Sequence, residues 1–280
     1  MEIDVIILTY NCIRGWPGKE IFSRCLFSVS ENVPINRLII VDGGSSDNTL
    51  EFIKELNDRY GLFPELVFIN DNGGNRATAR MKGIKAVETE WFAFIDTDCI
   101  LCNEWFKRAF KHVKNHIGAI EGAQRLVLNA KDKRFLNARK ELKRRFKRLV
   151  KNHIVIIKKG RGFTGDTIIQ TDLVKDIKIP KYYHVLEDYY IKKHVESKGF
   201  KWIKVNDAYC YHYVYYHKPR DVYYGAFILA REGKLTLKKA LLSILTSFFK
   251  YTIIGYPDCG LREFKLSLYR LSGVFKEIIS

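Results

Sequence analysis

The chain has 280 residues, 47% of them hydrophobic and 14% aromatic, so it can bury a sizeable core and is not an intrinsically disordered protein. Its 48 Lys and Arg outnumber its 31 Asp and Glu, and the formal net charge of +17 predicts an anionic partner such as nucleic acid, an anionic membrane or a phosphorylated substrate. Because the first residues are acidic and the apolar run after them is short, they do not fit a secretory signal, and we expect a cytoplasmic protein.

Apolar, strand-like runs alternate with helix-like stretches in the first hundred residues. The strand-like runs cover 3–9, 37–42, 65–70 and 91–96, and the helix-like stretches cover 19–31, 47–60 and 75–88. This alternation indicates βαβ units and a mostly parallel sheet. Ser46 or Asp47 is expected to cap the helix over 47–60.

The pattern is looser after residue 100, where shorter strands and a strongly basic helix are predicted. We expect helices over 103–115, 132–151 and 187–198, and strands over 117–128, 167–171, 201–205 and 208–213. From about residue 220 the spacing of apolar residues predicts amphipathic helices. Residues 131–161 hold fourteen Lys and Arg but only two acids, so the positive charge is concentrated on the predicted basic helix.

The cysteines are scattered and do not indicate a metal site. They are Cys12, Cys25, Cys99, Cys102, Cys210 and Cys259. Only Cys99 and Cys102 lie close in sequence, and a zinc site would need a second pair at matching spacing. Buried thiols or an incidental disulfide are therefore favoured over a redox or metal-binding role.

Two carboxylates, Asp96 and Asp98, follow the apolar run that ends at Ile95. Ligands of α/β sheets bind just outside the carboxyl ends of such strands. Adjacent carboxylates repel each other, so a cation between them is expected, and a divalent cation that also grips a diphosphate fits this position. A simple polar turn would also explain the Asp-x-Asp pattern when it is taken alone.

The other predicted parallel strands also end in polar residues. The first is followed by Thr9, Tyr10 and Asn11, and the second ends at Asp42 in a loop with two glycines. The third leads through Asn72-Gly73-Gly74 to Arg76 and Arg80 near a helix start. Parallel strands would bring all four loops to one edge of the sheet, and this convergence favours a binding site over a set of unrelated turns.

In order and spacing, these motifs resemble family 2 glycosyltransferases of the GT-A fold. The matching motifs are Leu8-Thr9-Tyr10-Asn11, Val41-Asp42-Gly43-Gly44-Ser45-Ser46-Asp47, Asn72-Gly73-Gly74 through Ala79-Arg80, and Phe94-Ile95-Asp96-Thr97-Asp98. The resemblance continues at Glu187-Asp188, Lys198-Gly199-Phe200 and Ala208-Tyr209-Cys210-Tyr211-His212, and so covers about residues 1–213.

The resemblance implies an α/β GT-A fold, with a mostly parallel sheet flanked by helices, and a C-terminal helical extension. Residues 1–100 would form the nucleotide-sugar-binding half and 101–215 the acceptor-binding half of one domain, followed by an amphipathic helical region over 216–280. The activity implied is inverting, metal-assisted transfer of a sugar from a UDP-sugar or GDP-sugar.

The family also implies residue roles. Asp42 would bind the nucleotide base. The remaining donor-binding side chains would be Thr9, Tyr10 and Asn11 in the base and ribose pocket, Arg80 beside the nucleotide and Asp96 at the ribose or donor sugar. Asp98 would ligate Mn²⁺ or Mg²⁺, with Asp96 and His212 as further candidate ligands, although a structural role fits His212 equally well. Asp188 would be the general base.

Other residues and motifs leave alternatives open. Asp166 is either an acceptor-orienting acid or an ordinary loop acid, and His217 is a weaker metal candidate. The second loop reads Asp-Gly-Gly where many relatives have Asp-Asp-Gly or Asp-Asn-Gly, which leaves uracil versus guanine open. No Gln-x-x-Arg-Trp motif follows, which disfavours a processive polymerase.

The basic helix and the amphipathic tail favour a membrane surface. We therefore expect a lipid-phosphate, lipid-linked or glycan acceptor, and a protein peripheral on the cytoplasmic membrane face. One alternative is a nucleotidyltransferase of similar fold, although such enzymes usually have a glycine-rich basic loop where Thr9-Tyr10-Asn11-Cys12 stands. A basic nucleic-acid-binding protein is disfavoured because the cations cluster on one helix, so no nucleic-acid partner is expected.

Overall fold

The computed structural model describes residues 1–145, 162–213 and 219–280. They divide into two units, each with its own contacts. The sheet unit comprises residues 1–127, 162–181 and 186–213, and the helical unit comprises 128–145, 182–185 and 219–280. His217 and the second part of the predicted basic helix lie outside the described residues.

The sheet unit contains one mixed sheet and helices that follow its strands. Its strands are β1 (Ile3–Thr9), β2 (Ile35–Asp42), β3 (Leu66–Asn70), β4 (Trp91–Ile95), β5 (Cys99–Leu101), β6 (Ile117–Val127), β7 (Asp166–Gln170) and β8 (Lys201–Tyr213). The helices are numbered in chain order through both units. The sheet unit contains α1 (Lys19–Asn32), α2 (Thr49–Tyr60), α3 (Arg76–Ala86), α4 (Trp105–Phe110) and α6 (Glu187–Ser197). The helical unit contains α5 (Ala130–Arg145), α7 (Pro219–Arg231), α8 (Leu237–Ile253) and α9 (Pro257–Ile279).

The strand order is β3-β2-β1-β4-β7-β6-β8-β5 among the described residues. Strands β1 to β4 run parallel, and Thr9 lies opposite Asp42, which lies opposite Asn70. Strand β7 inserts antiparallel beside β4, with Asp166 opposite Ile95. The four predicted strand ends therefore meet at one edge, and the predicted α/β class is confirmed.

The apolar runs of β1, β2 and β4 are buried because helices cover both faces of a parallel sheet. Residues Val5, Ile6 and Ile7 are fully buried in β1, as are Leu38, Ile39 and Ile40 in β2. Helix α3 packs close to this sheet at Gly83, where an added Cβ would lie 2.7 Å from Ile6 Cγ2. A larger residue at this position would push the helix away from the strand.

The predicted cap of α2 is wrong. The residue before the helix is Asn48, whose φ of 63° is left-handed and whose side chain makes no capping hydrogen bond. Asparagine tolerates this backbone conformation better than most residues. Asp47 instead accepts hydrogen bonds from the backbone N–H groups of Ile13 and Arg14, at 2.9 and 2.8 Å. Its carboxylate also accepts from Thr49 Oγ1 at 2.5 Å, so it joins the loop after β1 to the first residue of α2.

Three elements in the second half of the structure, α4, β8 and β5, differ from the prediction. Helix α4 covers Trp105–Phe110 rather than 103–115, and β8 is one strand rather than two. Strand β5 was not predicted, because three residues carry too little alternation to be recognised. The break predicted within β8 corresponds to a register shift against β6 between Glu121 and Ala123, where the pairing continues past an irregularity.

The helical unit has its own small core. Helices α8 and α9 approach closely at Ser247 and Ser267, whose hydroxyl oxygens lie 2.9 Å apart. The ring of Phe135 on α5 stacks on Tyr251 at a centroid distance of 5.9 Å. No helix within the described residues has the length and continuous apolar character needed to cross a bilayer.

A buried ion pair joins the amino-terminal ends of β1 and β2. Asp4 is fully buried and accepts hydrogen bonds from Arg37 Nη2 at 2.7 Å, Asn36 Nδ2 at 2.9 Å and the backbone N–H of Glu88 at 2.8 Å. Burial alone would raise the pKa of Asp4, but these hydrogen bonds outweigh it and hold the pKa below its usual value.

We expect Asp4→Asn to lower the free energy of unfolding at neutral pH by about 3 kcal/mol, because it leaves Arg37 without its buried partner. A carboxylate whose folded-state pKa is lowered stabilises above its unfolded pKa, and the contribution disappears as pH falls through the folded pKa. The difference between variant and wild type should therefore shrink below about pH 4. Urea unfolding across pH checks this. The control Asp58→Asn, at an exposed acid of α2, should change little at any pH.

Candidate functional site

Asp42 organises the loop after β2. Its Oδ2 accepts hydrogen bonds from the backbone N–H groups of Gly44 and Ser45, at 2.9 and 2.7 Å. Its Oδ1 accepts from Thr9 Oγ1 at 2.8 Å and Ser45 Oγ at 2.6 Å. Gly44 has a φ of 89°, a conformation that favours glycine. The predicted base-binding carboxylate is therefore engaged by its own loop, and a base would have to replace some of these bonds.

The loop after β1 is tied to the same segment. Asn11 has a left-handed φ of 49°, and its Oδ1 accepts from the backbone N–H of Ser46 at 2.8 Å. The backbone N–H of Asn11 donates in return to Ser45 Oγ at 2.8 Å. Tyr10, between these anchors, is 64% exposed. The two loops thus form one surface from which the Tyr10 ring projects into solvent.

Arg80 links the Asp-x-Asp loop to the start of α6. It is buried on α3, and its Nη2 donates to Asp96 Oδ1 at 3.1 Å. Its Nε lies 3.5 Å from Glu187 Oε1, and its guanidinium lies 4.5 Å from the centroid of the Phe94 ring. Its Nη1 is buried without a hydrogen-bond partner among the described residues. Arg80 therefore neutralises two carboxylates and still has a donor available.

Glu187 and Asp188 form the first turn of α6, and both are buried. Burial and the neighbouring Asp188 carboxylate raise the pKa of Glu187, against the opposing effect of Arg80. Asp188 Oδ1 accepts from the backbone N–H of Tyr189 at 2.8 Å. Glu187 pairs with Arg80, which also pairs with Asp96, so the predicted general base lies one residue from this group of charges.

Asp98 and His212 meet because β5 pairs with β8. The antiparallel register places Cys99 opposite His212, which brings His212 Nε2 to 3.4 Å from Asp98 Oδ1. Burial by itself would lower the pKa of His212, but the hydrogen bond to Asp98 and the nearby carboxylates raise it above the usual value. Trp16 Nε1 donates to Asp98 Oδ2 at 2.9 Å.

Ligand atoms of Asp98, Cys99 and His212 all lie within 4.8 Å of one another, close enough to share a metal ion. Burial raises the pKa of the Cys99 thiol well above its usual value. A metal ligand must be the thiolate, so Asp98 and His212 are the better donors of this set. Asp96, the other predicted ligand, pairs with Arg80 and is not in this cluster.

Asp166 lies behind the site at the start of β7. It is fully buried, and burial raises its pKa well above the usual value. An added Cβ at Gly122 would collide with its carboxyl group, so the glycine is required to make room for it. Asp166 is therefore not the ordinary exposed loop acid considered from the sequence.

The six cysteines are buried free thiols, which agrees with the sequence-based interpretation.

Sequence reasoning gave no individual role to Trp16 or Glu187. Both contact predicted site residues in the structure, Trp16 at Asp98 and Glu187 at Arg80. The position of Glu187 beside Asp188 was a usable signal, whereas nothing in the sequence indicates that Trp16 would contact a residue 82 positions away.

The model of the family described as Glycosyl transferase family 2 matches residues 4–169, more than half of the chain. The uncharacterized glycosyltransferase MG060 of Mycoplasma genitalium is 29% identical over 104 residues, 36% of this chain and 33% of that protein. Glycosyltransferase AglE of Haloferax volcanii is 29% identical over 109 residues, 38% of this chain and 33% of that protein. The match thus spans about a third of each curated relative's length.

Solved structures share the fold at low identity. The mannosyltransferase PcManGT from Pyrobaculum calidifontis, solved with GDP-Man and Mn²⁺, has a TM-score of 0.61 at 12% identity and covers 99% of this chain and 88% of that chain. S. aureus TarS 1-349, solved with UDP, has a TM-score of 0.54 at 17% identity and covers 99% of this chain and 89% of that chain. The GT-A fold predicted from the sequence is confirmed by this likeness.

We expect Arg80→Met to lower the free energy of unfolding by about 3–5 kcal/mol at about pH 8, because it leaves the buried Glu187 and the partly exposed Asp96 without their cation. A carboxyl whose folded-state pKa is raised loses stability as pH rises above its unfolded pKa. Since the pKa of Glu187 is already raised, the deficit should shrink towards about pH 5, where Glu187 takes up a proton more readily. Thermal unfolding at both pH values measures it.

Two further variants test this assignment. Arg80→Met combined with Glu187→Gln should recover part of the lost stability at the higher pH, because one unpaired charge is removed. Arg59→Met, at an exposed position of α2, is the control and should change stability by less than about 0.5 kcal/mol. An equal deficit at both pH values would contradict the role of Arg80 as the counter-ion.

Proposed function

The chain belongs to glycosyl transferase family 2, and from this premise we propose that it transfers a sugar from a UDP-sugar or GDP-sugar to an acceptor with inversion at the anomeric carbon. The observation that carries the proposal is the Arg80 bridge between Asp96 and Glu187. It joins Asp96, just after β4, to the acidic pair that opens α6. Sugar transfer needs both groups, one at the diphosphate and one at the acceptor.

The donor's nucleotide would lie against the loops after β1 and β2. The exposed Tyr10 ring can stack on a base, and Gly43 and Gly44 allow the backbone to approach it closely. Thr9, Asn11 and Asp42 would act mainly by fixing these loops, since their side chains already bond to them. The unpartnered Nη1 of Arg80 can donate to an anionic oxygen of the donor.

Asp98 and His212 would hold Mn²⁺ or Mg²⁺, with Asp96 as a further candidate beside them. A carboxylate oxygen and an imidazole nitrogen this close together suit a divalent cation, and a protonated His212 can lose its proton to a competing metal. When bound, the cation would supply Lewis-acid stabilisation of the departing nucleoside diphosphate. Trp16 would keep Asp98 oriented through its indole N–H.

Asp188 would take the proton from the attacking acceptor hydroxyl. It lies in the first turn of α6, at the end of the helix that carries partial positive charge. Attack from the face opposite the leaving diphosphate inverts the anomeric carbon in one displacement. A phosphate acceptor is already ionised and would need no such base.

We propose that the acceptor is a glycan or a lipid-linked molecule, and that the protein works peripherally on the cytoplasmic face of a membrane. The support is the excess of positive charge and the amphipathic helices of the helical unit. Family membership favours sugar transfer over nucleotidyl transfer. Nucleic acid is not part of the proposal.

We expect Asp98→Ala to abolish the Mn²⁺-dependent part of UDP and GDP binding, because it removes the principal carboxylate ligand. Isothermal titration with each nucleotide, with and without Mn²⁺, measures this and also distinguishes uracil from guanine. The control Asp172→Ala removes an exposed acid of the same unit and should bind like the wild type. If Asp98→Ala still binds nucleotide in a metal-dependent way, the metal site must lie at other residues.

We expect Asp188→Asn to keep donor binding and to reduce transfer by about 10²- to 10⁴-fold, the usual contribution of a positioned base. Nucleotide release with a panel of sugar donors measures transfer, and calorimetry measures binding. Glu196→Gln, at an exposed acid of the same helix, is the matched control and should leave both unchanged. Full turnover by Asp188→Asn would refute its role as base and would favour an acceptor that is already ionised.

A further inference from the structure

Helix α8 exposes an apolar face in place of the polar face expected of a surface helix. Leu245, Phe249 and Ile253 are 68%, 65% and 69% exposed, and they follow one another at intervals of four residues. Leu241 and Phe248 extend the same stripe. The opposite side of α8, with Ala240, Ser247 and Tyr251, is buried within the helical unit. The helix is thus packed on one side and apolar on the other.

Helix α9 continues this feature. Leu261, Leu268, Phe275 and Ile279 are exposed, and their spacings of seven, seven and four residues place them on one side of the helix. The acids Glu263 and Glu277 lie on another side, next to Arg270 at 2.7 Å and Arg231 at 3.9 Å. Asp258 precedes Leu261 in the first turn and is paired with Arg134 at 3.0 Å. The exposed apolar stripe from Leu261 to Ile279 therefore contains no carboxylate.

The excess charge of the protein lies in the unit that contains these helices. Among described residues, the sheet unit has 23 Lys and Arg against 24 Asp and Glu, whereas the helical unit has 18 against 7. Helix α8 contains three lysines and no acid. Lys238 and Lys265 are exposed beside the apolar stripes and have no acidic partner among the described residues. The charge that predicted an anionic partner is thus not spread around the donor site.

We propose that the apolar faces of α8 and α9, called here the docking face (Leu241, Leu245, Phe248, Phe249, Ile253, Leu261, Leu268, Phe275 and Ile279), insert into the headgroup region of an anionic membrane. Helices that lie in the plane of a membrane surface combine an apolar face with flanking lysines in this way. Each lysine near an anionic leaflet adds attraction, and an apolar stripe without carboxylates avoids repulsion from the lipid. The proposal rests on the proposed function only for the purpose that membrane binding would serve. Binding to a membrane can be measured without any sugar transfer.

A second copy of the chain fits the docking face less well. A two-fold interface would bring the same patch of both copies together, and so would place Lys238 and Lys265 of both copies, four positive charges, at one interface. No carboxylate lies on the stripes to compensate this charge. An anionic lipid surface supplies the compensating charge and the apolar layer together.

Flotation of the full chain with vesicles tests the docking face. We expect binding to phosphatidylcholine vesicles that contain phosphatidylglycerol, weaker binding to phosphatidylcholine alone, and a decrease as salt is raised. Combining Leu245→Ser with Phe249→Ser should reduce the binding constant for the vesicles by about tenfold or more, because two exposed apolar side chains no longer insert. Tyr60→Ser, at an exposed aromatic residue of α2, is the control and should bind like the wild type.

The lysines provide a second, independent measurement. Lys265→Glu should weaken binding to the anionic vesicles by at least about fivefold, whereas the control Lys85→Glu on α3 should not. Absence of wild-type binding at low salt, or equal binding by the Leu245/Phe249 variant, would overturn the proposal. A wild-type dimer that the same variant converts to a monomer would assign the face to a second copy and would also overturn it.

Nucleotide titration of the same variants separates this proposal from the proposed function. The docking-face variants should bind UDP or GDP with Mn²⁺ as the wild type does, because none of the substituted residues belongs to the sheet unit's site. If the wild type binds vesicles but no nucleotide, the donor assignment fails and the docking face stands. If the wild type binds nucleotide but no vesicle, the docking face fails and the donor assignment stands.

Discussion

The site depends on the neutralisation of carboxylates that the fold brings together. Parallel strands deliver acids to one edge of the sheet, and the helix α6 adds Glu187 and Asp188 to the same region. Arg80 is buried between Asp96 and Glu187, so its cation offsets a repulsion that would otherwise oppose the packing of α6. Asp188 follows Glu187 directly, so the same contact connects the stability of this group of charges with the geometry of the proposed reaction.

Carboxylates at the other strand ends act on the backbone. Asp42 and Asp47 each accept at least two backbone N–H groups, and these bonds define the loops after β1 and β2. A loop fixed in this way loses little entropy when a ligand binds to it. Tyr10 and Trp16 are therefore presented by a scaffold that is already organised. In the proposed function an acid would contribute to donor binding through the loop it holds, whether or not it touches the nucleotide.

The features that could be predicted from the sequence are those encoded by local pattern. The buried strands β1 to β4 appear as apolar runs, and parallel pairing then requires that Thr9, Asp42 and Asp96 share an edge. Contacts that depend on long-range pairing could not be predicted. The contact of Asp98 with His212 requires the three-residue strand β5 to pair with β8. The contact of Asp98 with Trp16 requires the complete loop after β1. The cap at Asn48 was missed because Asp47 has a stronger competing role at Ile13 and Arg14.

The distribution of charge separates two kinds of electrostatic work. A nucleoside diphosphate is bound at short range, so one buried arginine and one cation can serve it, and the sheet unit as a whole needs no excess of positive charge. A membrane surface is recognised through many weak, screened attractions, which require many exposed lysines and arginines. The helical unit has that excess and also carries the exposed apolar residues. The net charge is therefore better explained by the proposed membrane surface than by the proposed nucleotide-sugar donor.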